Sequence, residues 1–75
     1  EMCIRDRFRR VTEGTVRVKA YDLRGRTVWN GNPREGPAGS EDEVVWSTDE
    51  VAGGVYVVRV QGAGLDKRLK VAIRR

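Results

Sequence analysis

Stretches of this chain alternate apolar and polar residues with a period of two, and that pattern limits what it can fold into. In "TVRVKAY" (15–21), Val16, Val18 and Ala20 fall on one side and Arg17, Lys19 and Tyr21 on the other. In "KRLKVAI" (67–73), Leu69, Val71 and Ile73 oppose Arg68, Lys70 and Ala72. "VYVVRVQ" (55–61) sets Tyr56, Val58 and Val60 in one row, with Val55 and Val57 opposite them until Arg59 interrupts. Successive side chains of a strand point to opposite faces, so the first two segments read as half-buried strands. A segment apolar on both sides belongs near the centre of a packed sheet. No window carries a helical period, and β-branched residues dominate the apolar set.

Shorter segments complete the pattern. "FRRVT" (8–12), "RTVWN" (26–30) and "EVVWS" (43–47) read as further strands. "DLRGR" (22–26) is a turn: Gly25 can take positive φ, and the Asp22 carboxylate can accept bonds from nearby backbone N–H groups. "GAGLD" (62–66) is a second glycine-based turn, and "TDEVAGG" (48–54) a longer connection closing on paired glycines. Residues 31–42, "GNPREGPAGSED", are rich in Gly and Pro and have no period, so they read as a loop. The expected architecture is all-β, a small antiparallel sandwich. Its expected core is Val16, Val18, Trp46, Tyr56, Val58, Val60, Leu69 and Val71. Trp46 shares a side with Val44 and reads as packing. Trp29 adjoins loop residues, so its ring either packs or offers a stacking platform to sugar or base.

Chemistry-bearing patterns are absent. The chain has 75 residues, room for one small domain, and it has no His, which removes the commonest general base and metal ligand. The glycines precede strands and lack the Lys-Ser/Thr pair that a phosphate-cradling loop sets at the head of a helix. Glu41-Asp42-Glu43 lacks the alternating spacing of a calcium loop. Asp49 and Glu50 have no neighbours that would split their acidities into an acid and a base. The sequence thus predicts no enzyme activity, no metal and no cofactor. No apolar run approaches the ~18 residues of a membrane span, and no segment reads as a signal peptide. The net charge is +4, and twelve of the fifteen basic residues are Arg. Such a balance suits anionic partners, but no nucleic-acid motif accompanies it, and no nucleic-acid partner is assigned.

"YDLRGRTV", Trp46, "AGGVYVVRV" and "KRLKVAIRR", in that order and running to the end of the chain, resemble a known family. It is the C-terminal sorting domain of type IX secretion cargo, with its relative, the Ig-like domain of the flagellar hook-capping protein. The resemblance covers residues 8–75 and places family-signature positions at Tyr21, Asp22, Gly25, Arg26, Trp46, Gly54 and Tyr56. It implies an Ig-like sandwich of about six to seven strands, attached to an upstream domain of a larger exported protein. It also implies recognition by outer-membrane secretion machinery, in transit from the periplasm to the cell surface. The candidate recognition surface is Lys67, Arg68, Lys70, Arg74 and Arg75. The Asn-Pro-rich segment usual ahead of the first strand is absent, and the Arg-rich composition suits hook-cap-like domains equally. The rival expectations are a structural Ig-like domain in a hook cap or surface-protein stalk, and a carbohydrate-binding sandwich using Trp29. "EMCIRDR" (1–7) resembles translated sequencing adapter at the edge of a metagenomic contig. Residues 1–7 are accordingly read as a non-native segment, and Cys3 is given no role.

Overall fold

The alternating segments become paired strands in the computed structural model, which describes residues 3–49 and 51–74. The elements are β1 (Cys3–Arg9), β2 (Gly14–Asp22), β3 (Thr27–Asn30), β4 (Arg34–Gly36), β5 (Glu41–Ser47), β6 (Gly54–Gly62) and β7 (Leu65–Ile73). The described residues contain no helix. β1 and β5 form a small sheet, and β3-β2-β6-β7 form a large one with β4 also on β2. Every pairing is antiparallel.

The core lies between the sheets. Val16, Val18, Ala20, Tyr56, Val58, Val60 and Ile73 come from the large sheet, and Phe8 and Trp46 from the small one. Trp46 joins them: its ring stacks on Trp29 at 5.8 Å and meets Tyr56 edge-on at 5.8 Å. Both geometries suit the ring quadrupole. Leu69 and Val71, expected in the core, are only half-buried and pack against it. β7 is an edge strand, and a two-stranded sheet is too narrow to cover all of the strands facing it.

Turn chemistry fixes the registers. Asp22 Oδ1 accepts the N–H groups of Arg24 and Arg26, both at 2.9 Å, and Gly25 takes φ +86°. The β6–β7 hairpin closes through Ala63 and Gly64 at φ +52° and +80°, the paired positive φ that matches strand twist. At Gly62 a Cβ would collide with the carbonyl oxygen of Thr15, so only glycine lets these backbones approach.

Two sequence expectations change. The first strand begins at Cys3, not Phe8, and Ile4, opposite Trp46, packs against the core. Residues 31–42 are not simply a loop: Arg34–Gly36 pairs with the start of β2, continuing the edge that β3 occupies further along.

The reason that segment is held lies in Arg10, just beyond β1, whose residue is only 2% exposed. Its guanidinium donates to Gly14 O (3.2 Å), Ser40 Oγ (3.1 Å), Arg34 O (2.9 Å) and Asp42 Oδ2 (3.4 Å), and lies 5.3 Å from the centre of the Phe8 ring. A buried charge is costly unless paired and bonded, and this one is both. It ties β2, β4 and β5 together. Gly36 leaves the space: a Cβ there would lie 2.7 Å from Arg10 Nη1. Burial alone pushes the Asp42 carboxyl upward. The Glu43 N–H, the Arg10 hydrogen bond and the charges of Arg34 and Arg10 outweigh it and hold the group below its ordinary range.

Candidate functional site

The outward residues of the large sheet align in rows across the strands. Lys19 sits opposite Arg59, and Arg59 opposite Arg68, so three cations stand abreast. The next row is Tyr21, Val57 and Lys70, and the row on the other side is Arg17, Gln61 and Asp66. Neighbouring strands lie about 4.8 Å apart, and like charges directly opposite repel. On the same side Glu35 of β4 stands opposite Thr15 and accepts a hydrogen bond from its hydroxyl, and within the three rows only Asp66 answers the cations. It takes two bonds from Arg59, Nε to Oδ1 and Nη2 to Oδ2, each 3.0 Å. The Arg59 hydrogen bond holds the Asp66 carboxyl below its ordinary range, and the same bond raises the guanidinium. Among the described residues, no carboxylate pairs with Arg17, Lys19, Arg68 or Lys70.

A hollow at one end of this face is lined by Tyr21, Asp22, Leu23, Gly25, Val57, Arg59 and Arg68. Leu23 projects from the β2–β3 turn and is 68% exposed. Asp22 is spent on the turn. Backbone N–H groups of Arg26 and Arg24, with the Arg26 guanidinium at 3.0 Å, hold its carboxyl below the ordinary range.

The candidate recognition residues therefore divide. Arg68 and Lys70 lie on the basic face, and Arg74 is exposed just after β7. Arg75 lies outside the described residues. Lys67 turns to the inner side, where Nζ reaches Arg7 O at 3.0 Å and Asp6 Oδ1 at 3.4 Å, pinning β7 to β1. Nζ is also 3.3 Å from Asp6 Oδ2, yet that buried oxygen takes no directed hydrogen bond; the pair is ionic there. The sequence reading missed that Arg17, Lys19 and Arg59 join Arg68 and Lys70. The outward alternation of Arg17 and Lys19 was visible, but only strand order puts them beside β7.

The family-signature positions do structural work. Asp22, Gly25 and Arg26 build the β2–β3 turn, and Trp46 is core. Tyr56 is core too, its hydroxyl donating to Ala52 O at 2.7 Å. Gly54 opens β6 opposite Ile73. Tyr21, half-buried, is the one that faces the basic surface. Trp29 gives one ring face to Trp46, and Gly31 lies against its edge. The cavity beside it, lined by Trp29, Asn32, Arg34 and Val44 among others, is about 120 Å³, against roughly 300 Å³ or more for usual ligand pockets. Glu41, Asp42 and Glu43 lie on β5 and face Arg side chains. Among the described residues, no cluster of His, Cys, Asp or Glu is arranged to hold a metal. Among the described residues, no helix is long and apolar enough to cross a membrane.

No protein-family model matches the chain, and no curated protein or solved structure is significantly similar to it.

Proposed function

We propose that this chain is a non-catalytic recognition module, which directs a larger exported protein to outer-membrane machinery of the type IX kind for surface display. The observation that carries the reading is the state of β7. It is a nine-residue edge strand that pairs on one side only, and it carries Arg68 and Lys70 outward without a paired carboxylate among the described residues. Sheet edges accept strands from partners, and outward charge adds specificity. The resemblance of "YDLRGRTV", "AGGVYVVRV" and "KRLKVAIRR" to sorting domains supports the same role.

The test fuses the chain behind a reporter in a type IX-competent host and follows the reporter to the cell surface. Removing β7 would be uninformative, because β6 would lose its longest pairing. Arg68→Glu with Lys70→Glu leaves the inner side of β7 intact. Surface display of the parent fusion and periplasmic retention of the folded double variant are expected. A folded parent fusion that stays in the periplasm of several such hosts would hand the domain to the structural Ig-like reading, as a spacer or hook-cap element.

A further inference from the structure

We propose that the outer face of the large sheet is a docking surface for an anionic lipid bilayer, with Leu23 entering the interface and Lys19, Arg59, Arg68 and Lys70 at the level of the lipid phosphates. The inference goes beyond the sorting reading and does not depend on it.

Charge placement is the first argument. The face carries Arg17, Lys19, Arg59, Arg68 and Lys70 against the carboxylates of Asp66 and, at its β4 end, Glu35, which is hydrogen-bonded to Thr15. The outward cations of the small sheet, by contrast, meet carboxylates: Arg5 and Arg7 reach Glu43 at 3.9 and 3.5 Å, and Arg9 reaches Glu41 at 3.3 Å. The row Lys19–Arg59–Arg68 is self-repelling in the isolated protein, and an anionic surface turns that repulsion into attraction.

Apolar placement selects the kind of surface. Leu23 at the turn tip is 68% exposed and lines the same hollow as Tyr21, Val57, Arg59 and Arg68. Val55, 38% exposed, lies one step beyond Val57 on the outward side of β6. A soluble polyanion gains nothing from an exposed leucine at the end of a cationic face. A bilayer interface takes up both: apolar groups enter the acyl boundary and cations stay with the headgroups. A sheet face also presents its charges in one layer, as a lipid surface does.

The test pellets the full chain with vesicles of phosphatidylcholine alone, or of phosphatidylcholine and phosphatidylglycerol in equal parts. Binding is expected only to the mixed vesicles, weakening as salt screens it. Each Lys or Arg near such a surface contributes about fivefold. Lys19→Gln with Arg68→Gln should therefore weaken binding by about twenty-fivefold. The charge-matched pair Arg7→Gln with Arg9→Gln should stay within about threefold, because those cations are already paired. Leu23→Ser should weaken vesicle binding and leave binding to soluble polyphosphate unchanged. All these positions are exposed, and circular dichroism checks each fold. Equal weakening by the two double variants would show that net charge alone binds. An inert Leu23→Ser would remove the bilayer in favour of a soluble polyanion. Absence of wild-type binding to the mixed vesicles, or capture of poly-glutamate without them, would overturn the proposal.

Discussion

The two sheets use arginine in opposite ways. On and just after β1, Arg5, Arg7, Arg9 and Arg10 all meet acids on β5. On the large sheet, Arg17 and Arg68 form no ion pair among the described residues, whereas Arg59 is matched by Asp66 and Arg34, on β4, reaches across to Asp42 of the small sheet. The same side chain is an internal fastener on one sheet and an open charge on the other. Composition cannot separate these uses; the register of the facing strand decides.

The largest expected effect compares Arg10→Ala with Arg17→Ala. Losing Arg10 leaves the carbonyls of Gly14 and Arg34 without their donor around a void and takes from Asp42 one of its two cations. Breaking a buried pair costs about 3–5 kcal/mol. A domain of this size has on the order of 5–10 kcal/mol in total. Arg10→Ala should melt broadly or be unfolded, and Arg10→Lys should not restore it, since an ammonium cannot reproduce the planar fork. Arg17→Ala should change stability by less than ~0.5 kcal/mol. Similar urea midpoints for the two would erase the contrast.

Acid is the next lever. The Asp42 carboxyl is held below its ordinary range in the folded state. Its stabilisation is therefore fully present above the unfolded value, near pH 4, and is lost as pH falls through the lower folded value. The melting temperature should drop on acidification below about pH 4, and Asp42→Asn should flatten that drop while lowering the neutral value. Asp66→Asn, on the open face, should flatten it less. An acid profile unchanged by Asp42→Asn would mean that another carboxylate governs it.

A smaller effect concerns Lys67. Lys67→Gln removes the tie to Asp6 and should cost a few degrees of melting temperature, roughly 1 kcal/mol or less. It should leave vesicle binding within about twofold, because the ammonium faces β1. Thermal melts and the pelleting assay, run side by side, separate the two roles.

The smallest effect is one of sign. Arg7→Glu places a third acid beside Glu43 and should lower the melting temperature by ~1–3 °C. Arg68→Glu replaces a repulsive neighbour of Arg59 with an attractive one and should leave the melting temperature unchanged or raise it by ~1–2 °C. Equal shifts of the same sign would show that the local rows do not control surface energetics.

Much of the fold was legible where side-chain parity was clean. Val16, Val18 and Ala20 share the inner side of the larger sheet with Tyr56, Val58 and Val60, as alternation predicts. Turn residues Asp22 and Gly25 declared their roles through chemistry that only a few residue types can supply. What escaped was set by distant partners. Arg34–Gly36 has no apolar period, and its strand character comes from pairing with β2. Nothing local to Arg10 marks it as buried, since its acceptors lie on several other segments. Lys67 was grouped with Arg68 and Lys70 by sequence proximity, although its parity placed it with Leu69 and Val71. The basic face was half legible: each strand showed its outward cations, but not which strands would be neighbours.

The pairing of β1 with β5 has a consequence for the order of assembly. Cys3 meets Ser47 and Arg9 meets Glu41 across a long stretch of intervening chain, whereas the β2–β3 and β6–β7 hairpins close through short turns. Loop closure must be met before distant contacts reward it, so local hairpins form fast and remote pairings slowly. The large sheet can begin from its hairpins, but joining them through β2 and β6 spans as much chain as pairing β1 with β5, so both remote pairings come after the hairpins. The guanidinium of Arg10 then acts as a late latch, and a molecule caught before it closes exposes the inner side of the large sheet to its neighbours.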